Sequence, residues 1–174
     1  MDVGELLTRG SIWLALMGYA LGAGMMLQSE GCAPWRKRAR WAWTAGCVFF
    51  VAHVICAFAF YHGWSHAAAV EETARQTAAM TGVRSGGGLW LNYAFAVAWL
   101  ADVLWWWIAP RSFARRPTRI SVAWHCFFFF MVFNGAVVFA DGPVRWLGIL
   151  ICGGLAALWW RKRKRRIVAR TSKA

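Results

Sequence analysis

The chain has 174 residues, is 60% hydrophobic and 17% aromatic, and carries a formal charge of +13. An ordinary soluble domain would be nearer 45–50% apolar, as an approximate average. The charge alone would suit a nucleic-acid binder, but the basic residues sit in short clusters between long apolar runs, and no nucleic-acid partner is expected.

A helix rises about 1.5 Å per residue and must cross about 30 Å of hydrocarbon, so runs of roughly 18–20 apolar residues are candidate membrane spans. Five are legible, over 11–28, 41–62, 89–108, 120–140 and 144–160. They predict an all-α integral membrane bundle, a single domain over residues 1–174. The N-terminus carries Asp2 and Glu5 ahead of Arg9 and lacks the basic start of a secretory signal, so the first span is expected to be retained.

In the first span Gly18 and Gly22 are four apart, a spacing that lets another helix approach closely. A homo-oligomer or a membrane-protein partner could use it. The loop 29–40 follows, with Arg36, Lys37, Arg38 and Arg40; Pro34 argues against a helix through it. The second span carries His53 mid-way and His62 at its end. Beyond it, residues 64–82 are rich in helix formers up to Gly82, so the helix is expected to continue out of the membrane or lie on it. Glu71 and Arg75 have the spacing of an i, i+4 ion pair. Gly86, Gly87 and Gly88 break the helix before the third span, which contains Asn92 and Asp102. The loop 110–119 carries Arg111, Arg115, Arg116 and Arg119, the fourth span His125 and Asn134, and the tail a basic run from Arg161.

Five alternating spans put 16 of the 20 Lys and Arg residues on one side, in the loops 29–40 and 110–119 and in the tail. The positive-inside rule then places the N-terminus outside and the C-terminus in the cytoplasm, in an inner or plasma membrane. Tryptophans fit interfacial belts at both ends: Trp41, Trp43, Trp105, Trp106, Trp107, Trp159 and Trp160 at the inner ends, Trp13, Trp64, Trp90 and Trp146 at the outer. Arg161, Lys162, Arg163, Lys164, Arg165 and Arg166 read as an anchor to anionic lipids.

Function is sought among polar groups that lipid excludes. Asp102 is the only acidic residue within a span, where a carboxylate costs about 2.5–3.5 kcal/mol on insertion scales. Counting outward from the turn near Ala114, Asp102 and His125 reach similar depth, so an Asp102–His125 pair is expected. His62 and His66, four apart, would share a helix face and could hold a metal, with Glu71, Glu72 or an Asn completing the sphere. His53 would face away from them on a straight helix. His53 and His125 differ by roughly 8–10 Å in depth at ~1.5 Å per residue, which disfavours a bis-histidine haem. A b-type haem between His53 and Met131 or Met17, which lie near its depth, is better placed. Cys32, Cys47, Cys56, Cys126 and Cys152 form no CxxC and read as small apolar side chains.

The length, tryptophan content and five spans resemble the translocator family of porphyrin binders. Pro34 and Trp35 stand in the first loop without that family's Lys-Pro-x-Trp motif, so no site is carried over. Four histidines are too few for the di-iron boxes of membrane fatty-acid hydroxylases. The leading expectation is a binding or accessory subunit with no enzymatic site of its own. The alternatives are a small redox protein holding haem or a transition metal, or a proton path through Asp102.

Overall fold

The first helix starts earlier in the chain than its apolar run does, because Asp2 caps it. The computed structural model describes residues 2–28 and 33–171, including side chains except at position 33 and over 166–171. The Asp2 carboxylate accepts a hydrogen bond from the backbone N–H of Gly4, and α1 runs from Val3–Gln28, eight residues ahead of the apolar run. Pro34 does not break α2 (Ala33–Tyr61) but sits in its first turn, where no intrahelical N–H is needed, and the cluster from Arg36 to Arg40 is helical. A separate helix, α3 (His66–Thr81), follows. Then come α4 (Gly88–Ile108), the short α5 (Pro110–Ala114), α6 (Thr118–Phe133) with a π-helical turn over Asn134–Val138, and α7 (Gly142–Thr171). The described residues are helical without strands, and five of these helices are long and apolar enough to cross a membrane.

α2 does not continue into α3 as one helix. Gly63 and Trp64 both have positive φ, 52° and 60°, and Ser65 restarts the helix by accepting the N–H of Ala68 at 3.2 Å. At the far end Gly82 closes α3 in the left-handed conformation, its N–H bonded to the Ala78 carbonyl at 2.9 Å.

The five long helices pack in cyclic order, α1 on α2, α2 on α4, α4 on α6, α6 on α7 and α7 back on α1, with α3 against α4. The α1–α2 seam is the tightest. A Cβ on Gly18 would lie 2.5 Å from the Gly46 Cα, and one on Gly22 would meet the Trp43 backbone at 3.1 Å. The close approach that Gly18 and Gly22 permit is therefore made to α2 of the same chain. Beyond Gly22, toward the end of α1, the Lys162 ammonium donates to the Leu27 carbonyl at 2.7 Å, which binds α7 to the last turn of α1. The end of the ring with α5 and the tail is the basic end; the other is the α3 end.

Tryptophan divides into two populations. Trp13, Trp41, Trp64, Trp90, Trp146, Trp159 and Trp160 are exposed, as a belt requires. Trp43 and Trp106, expected in the belt, are buried in the core instead. Cys47 and Cys152 are buried free thiols, Cys56 and Cys126 are more accessible, and Cys32 lies outside the described residues.

Candidate functional site

The basic half of the ring is filled. Trp43, Trp99 and Phe128 are the largest fully buried apolar side chains, joined by Tyr19 and Phe95. Their contacting rings lie 5.0–6.1 Å apart, from Phe95–Phe128 to Tyr19–Trp99. Such contacts each contribute about 0.5–1.5 kcal/mol beyond the area they bury.

Asp102 sits inside this plug. Arg116 donates to one carboxylate oxygen at 2.7 Å and the Trp43 indole N–H donates to the other at 3.0 Å. The Arg116 guanidinium also bonds the Ser121 hydroxyl at 2.8 Å, approaches His125 Nε2 at 3.4 Å and lies 4.5 Å over the Phe113 ring. The expected Asp102–His125 pair is thus corrected. The two residues do reach one site, but Arg116 stands between them, and His125 accepts from the arginine. A guanidinium cannot lose its proton and presents five donors, so it satisfies several acceptors where an imidazole satisfies one.

The α3 half of the ring is open. A cavity of about 1270 Å3 lies inside it, bounded by α1, α2, α3, α4, the π-turn and the start of α7. It exceeds the roughly 300–1,000 Å3 of most small-molecule sites. Tyr19, Phe50, Phe95 and Trp99 line its apolar part, so the top of the plug is its floor. Arg9, Glu71, Glu72, Arg75 and Gln76 line it elsewhere, and Asn92 and Asn134 add amides. The π-turn widens α6 here: Asn134 turns its amide to the Phe130 carbonyl at 2.8 Å, and Gly148 of α7 packs against Ala136.

His53 and Met131 both line this cavity. His53 Nδ1 lies 2.9 Å from the Thr8 carbonyl. A carbonyl oxygen only accepts, so Nδ1 carries the proton, and in the neutral ring Nε2 presents a lone pair. His125 belongs to the plug and does not line the cavity.

The metal expectation at the α3 end is not assembled. His62 lies past the end of α2 and His66 opens α3, so the pair does not share a helix face. His66 is bonded to the Tyr93 hydroxyl at 3.0 Å and stacked on that ring, while Glu71 pairs with Arg84. Arg75 takes Glu72 rather than Glu71, at 2.8 Å. Hydrogen bonds from Arg75 and from Gln76 hold the Glu72 carboxyl below the usual carboxylate range, and Glu72 in turn raises the Arg75 guanidinium. Among the described residues no three His, Cys, Asp or Glu side chains converge on a metal-sized site.

Comparison with known protein families, curated proteins and solved structures finds no match. The site is therefore interpreted from its own chemistry. In the basic run, α7 continues as helix through Arg161, Lys162, Arg163, Lys164 and Arg165; Arg163 lies 5.5 Å from the Trp159 ring centre, and the side chain of Arg166 is outside the described residues.

Two features escaped the sequence. In sequence Arg116 is one of four arginines of its loop, although a carboxylate inside a span demands a cation within reach. The break at residues 62–65 carried a signal, a glycine followed two residues later by a serine ahead of an alanine run.

Proposed function

We propose that this chain is a five-span protein of an inner or plasma membrane that acts as a binding or accessory subunit, holding an amphipathic ligand drawn from the membrane. The observation that carries this is the cavity itself, apolar and aromatic against the plug and polar where α3 borders it. That gradient suits a ligand with an apolar body and a polar group. In the same reading the C-terminus is cytoplasmic, and the basic run from Arg161 to Arg166 lies against anionic lipid. Assembly with a second copy or another membrane protein would use a surface other than Gly18 and Gly22, which α2 covers. No residue is assigned a catalytic role.

Extraction of the detergent-purified protein, followed by mass spectrometry, tests this. A molecule enriched over bulk membrane lipid is expected, and Ala96→Phe, which fills space on the cavity wall, should abolish the enrichment while the fold persists. Equal recovery from wild type and Ala96→Phe would refute the reading.

One observation favours the haem alternative, namely that His53 and Met131 line the same cavity with His53 Nδ1 anchored to a carbonyl, as axial histidines commonly are. A Soret band in the purified protein would support it. The proton path is less well supported, because Arg116 and Trp43 already occupy the Asp102 oxygens. A proton flux lost in Asp102→Asn would favour it.

A further inference from the structure

Among the polar atoms on the cavity wall, Nε2 of His53 is an acceptor set beside aromatic rings. His53 sits in the middle of α2, on the wall of the cavity, where lipid-facing polar groups are expensive. Its Nδ1 is committed to the Thr8 carbonyl, which also accepts the Ser11 hydroxyl at 3.0 Å. The anchor is rigid. Thr8 is buried, its own hydroxyl bonded to the Gly4 carbonyl at 2.8 Å, and the carbonyl belongs to α1 rather than to a loop. With Nδ1 donating to this backbone carbonyl, the neutral ring carries its proton on Nδ1. Nε2 is left as a bare acceptor with no protein partner among the described residues. Phe50, with its ring centre 6.4 Å from that of His53, and Trp99, 5.7 Å from Phe50 and near-parallel to it, extend the same wall as aromatic surface. An acceptor beside aromatic faces, on the apolar part of the wall, favours a ligand with an O–H donor on an apolar or aromatic frame. A ligand offering only acceptors, such as an ether or ester, gains nothing from it.

We infer that His53 is the head-group recognition residue of this cavity, accepting a hydrogen bond at Nε2 from the hydroxyl of a membrane-soluble alcohol or phenol. This rests on the cavity being a ligand site.

The test compares 4-nonylphenol with its O-methyl ether, which exchanges the O–H donor for a methyl group, titrated into full-length protein in detergent micelles with each affinity referred to the probe's own partition into the micelles. The wild type should bind the phenol about fivefold more tightly, the worth of one neutral hydrogen bond. In His53→Phe that preference should vanish while the ether's affinity holds within about twofold, since a packing change alone would move both probes alike. Equal affinities in the wild type overturn the assignment to His53 and leave the cavity reading standing. Binding of neither probe refutes the cavity reading and this inference with it. A Soret band that His53→Phe removes makes Nε2 a haem ligand and overturns the inference. Should His53→Phe fail to fold, 15N spectra of the wild type decide alone. The phenol should shift the unprotonated His53 Nε2 and the ether should not; an Nε2 unmoved by the phenol is a negative result.

Discussion

The two halves of the ring are made from similar material, aromatic and small apolar residues with a few polar groups, yet one is solid and the other hollow. In the basic half, α1 and α2 are drawn together at Gly18 and Gly46, and Trp43, Trp99 and Phe128 fill the interior. There Asp102, Arg116, Ser121, His125 and Trp43 close one network, while the buried indole N–H groups of Trp99 and Trp124 have no hydrogen-bond partner among the described residues. In the α3 half the turn at Gly63 and Trp64 ends α2, the π-turn widens α6, and the interior stays open. Polar groups there bond along their own helices, to a neighbouring turn or to one adjoining helix, as His66 does to Tyr93 and His53 to Thr8, and they leave His53 Nε2 without a protein partner among the described residues. A paired buried polar group locks packing, whereas one left half-paired beside a cavity is available for recognition.

The largest effect should come from breaking the plug. Arg116→Met strands the Asp102 carboxylate and should cost about 3–5 kcal/mol, read as unfolding in detergent. Adding Asp102→Leu should recover most of that loss but not all, because the Trp43 N–H then lacks its acceptor. A double variant as unstable as the single would show that the pair is not coupled. Next is the seam. Gly18→Ala drives a methyl group into the Gly46 backbone and should destabilise by about 1–3 kcal/mol. Gly153→Ala meets nothing within 4 Å and should stay within about 1 kcal/mol of wild type. Equal effects would mean the two surfaces are not packed differently.

The smallest effect is on α3. Protonating Glu72 removes its bonds to Arg75 and Gln76. Since its folded value lies below the ordinary 4.5, the stabilisation is complete above that pH and is lost as pH falls through the folded value. A spin label at Ala79→Cys should gain mobility over that acid window and not near neutrality. Glu72→Gln should show part of that mobility already at neutral pH. The pair is exposed, so the change should be modest.

The spans were legible because length and hydropathy alone decide them. Asp102 and His125 were placed in one site by counting residues from a shared turn, which needs only helix rise. Arg116 was not, since a loop arginine that folds back onto a span looks in sequence like any other charge of its cluster. Trp43 looked interfacial because it lies two residues past Trp41, yet a rotation of about 200° at 100° per residue puts the two on opposite faces. The cavity is a property of five helices together and has no signature in any one of them. His53 could be flagged as a polar residue in a span, but only the Thr8 carbonyl shows which of its nitrogens is free.

The central claim is that one half of the ring is accessible and the other is not. Two chains with a single cysteine decide it, one keeping the native Cys47 beside the plug and the other carrying Ala57→Cys on the cavity wall, all remaining cysteines replaced by alanine. With N-ethylmaleimide in detergent, position 57 should react readily and be protected by 4-nonylphenol, while Cys47, 2% exposed, should stay unreactive. Equal reactivity at the two positions, or no protection at 57, would contradict the account.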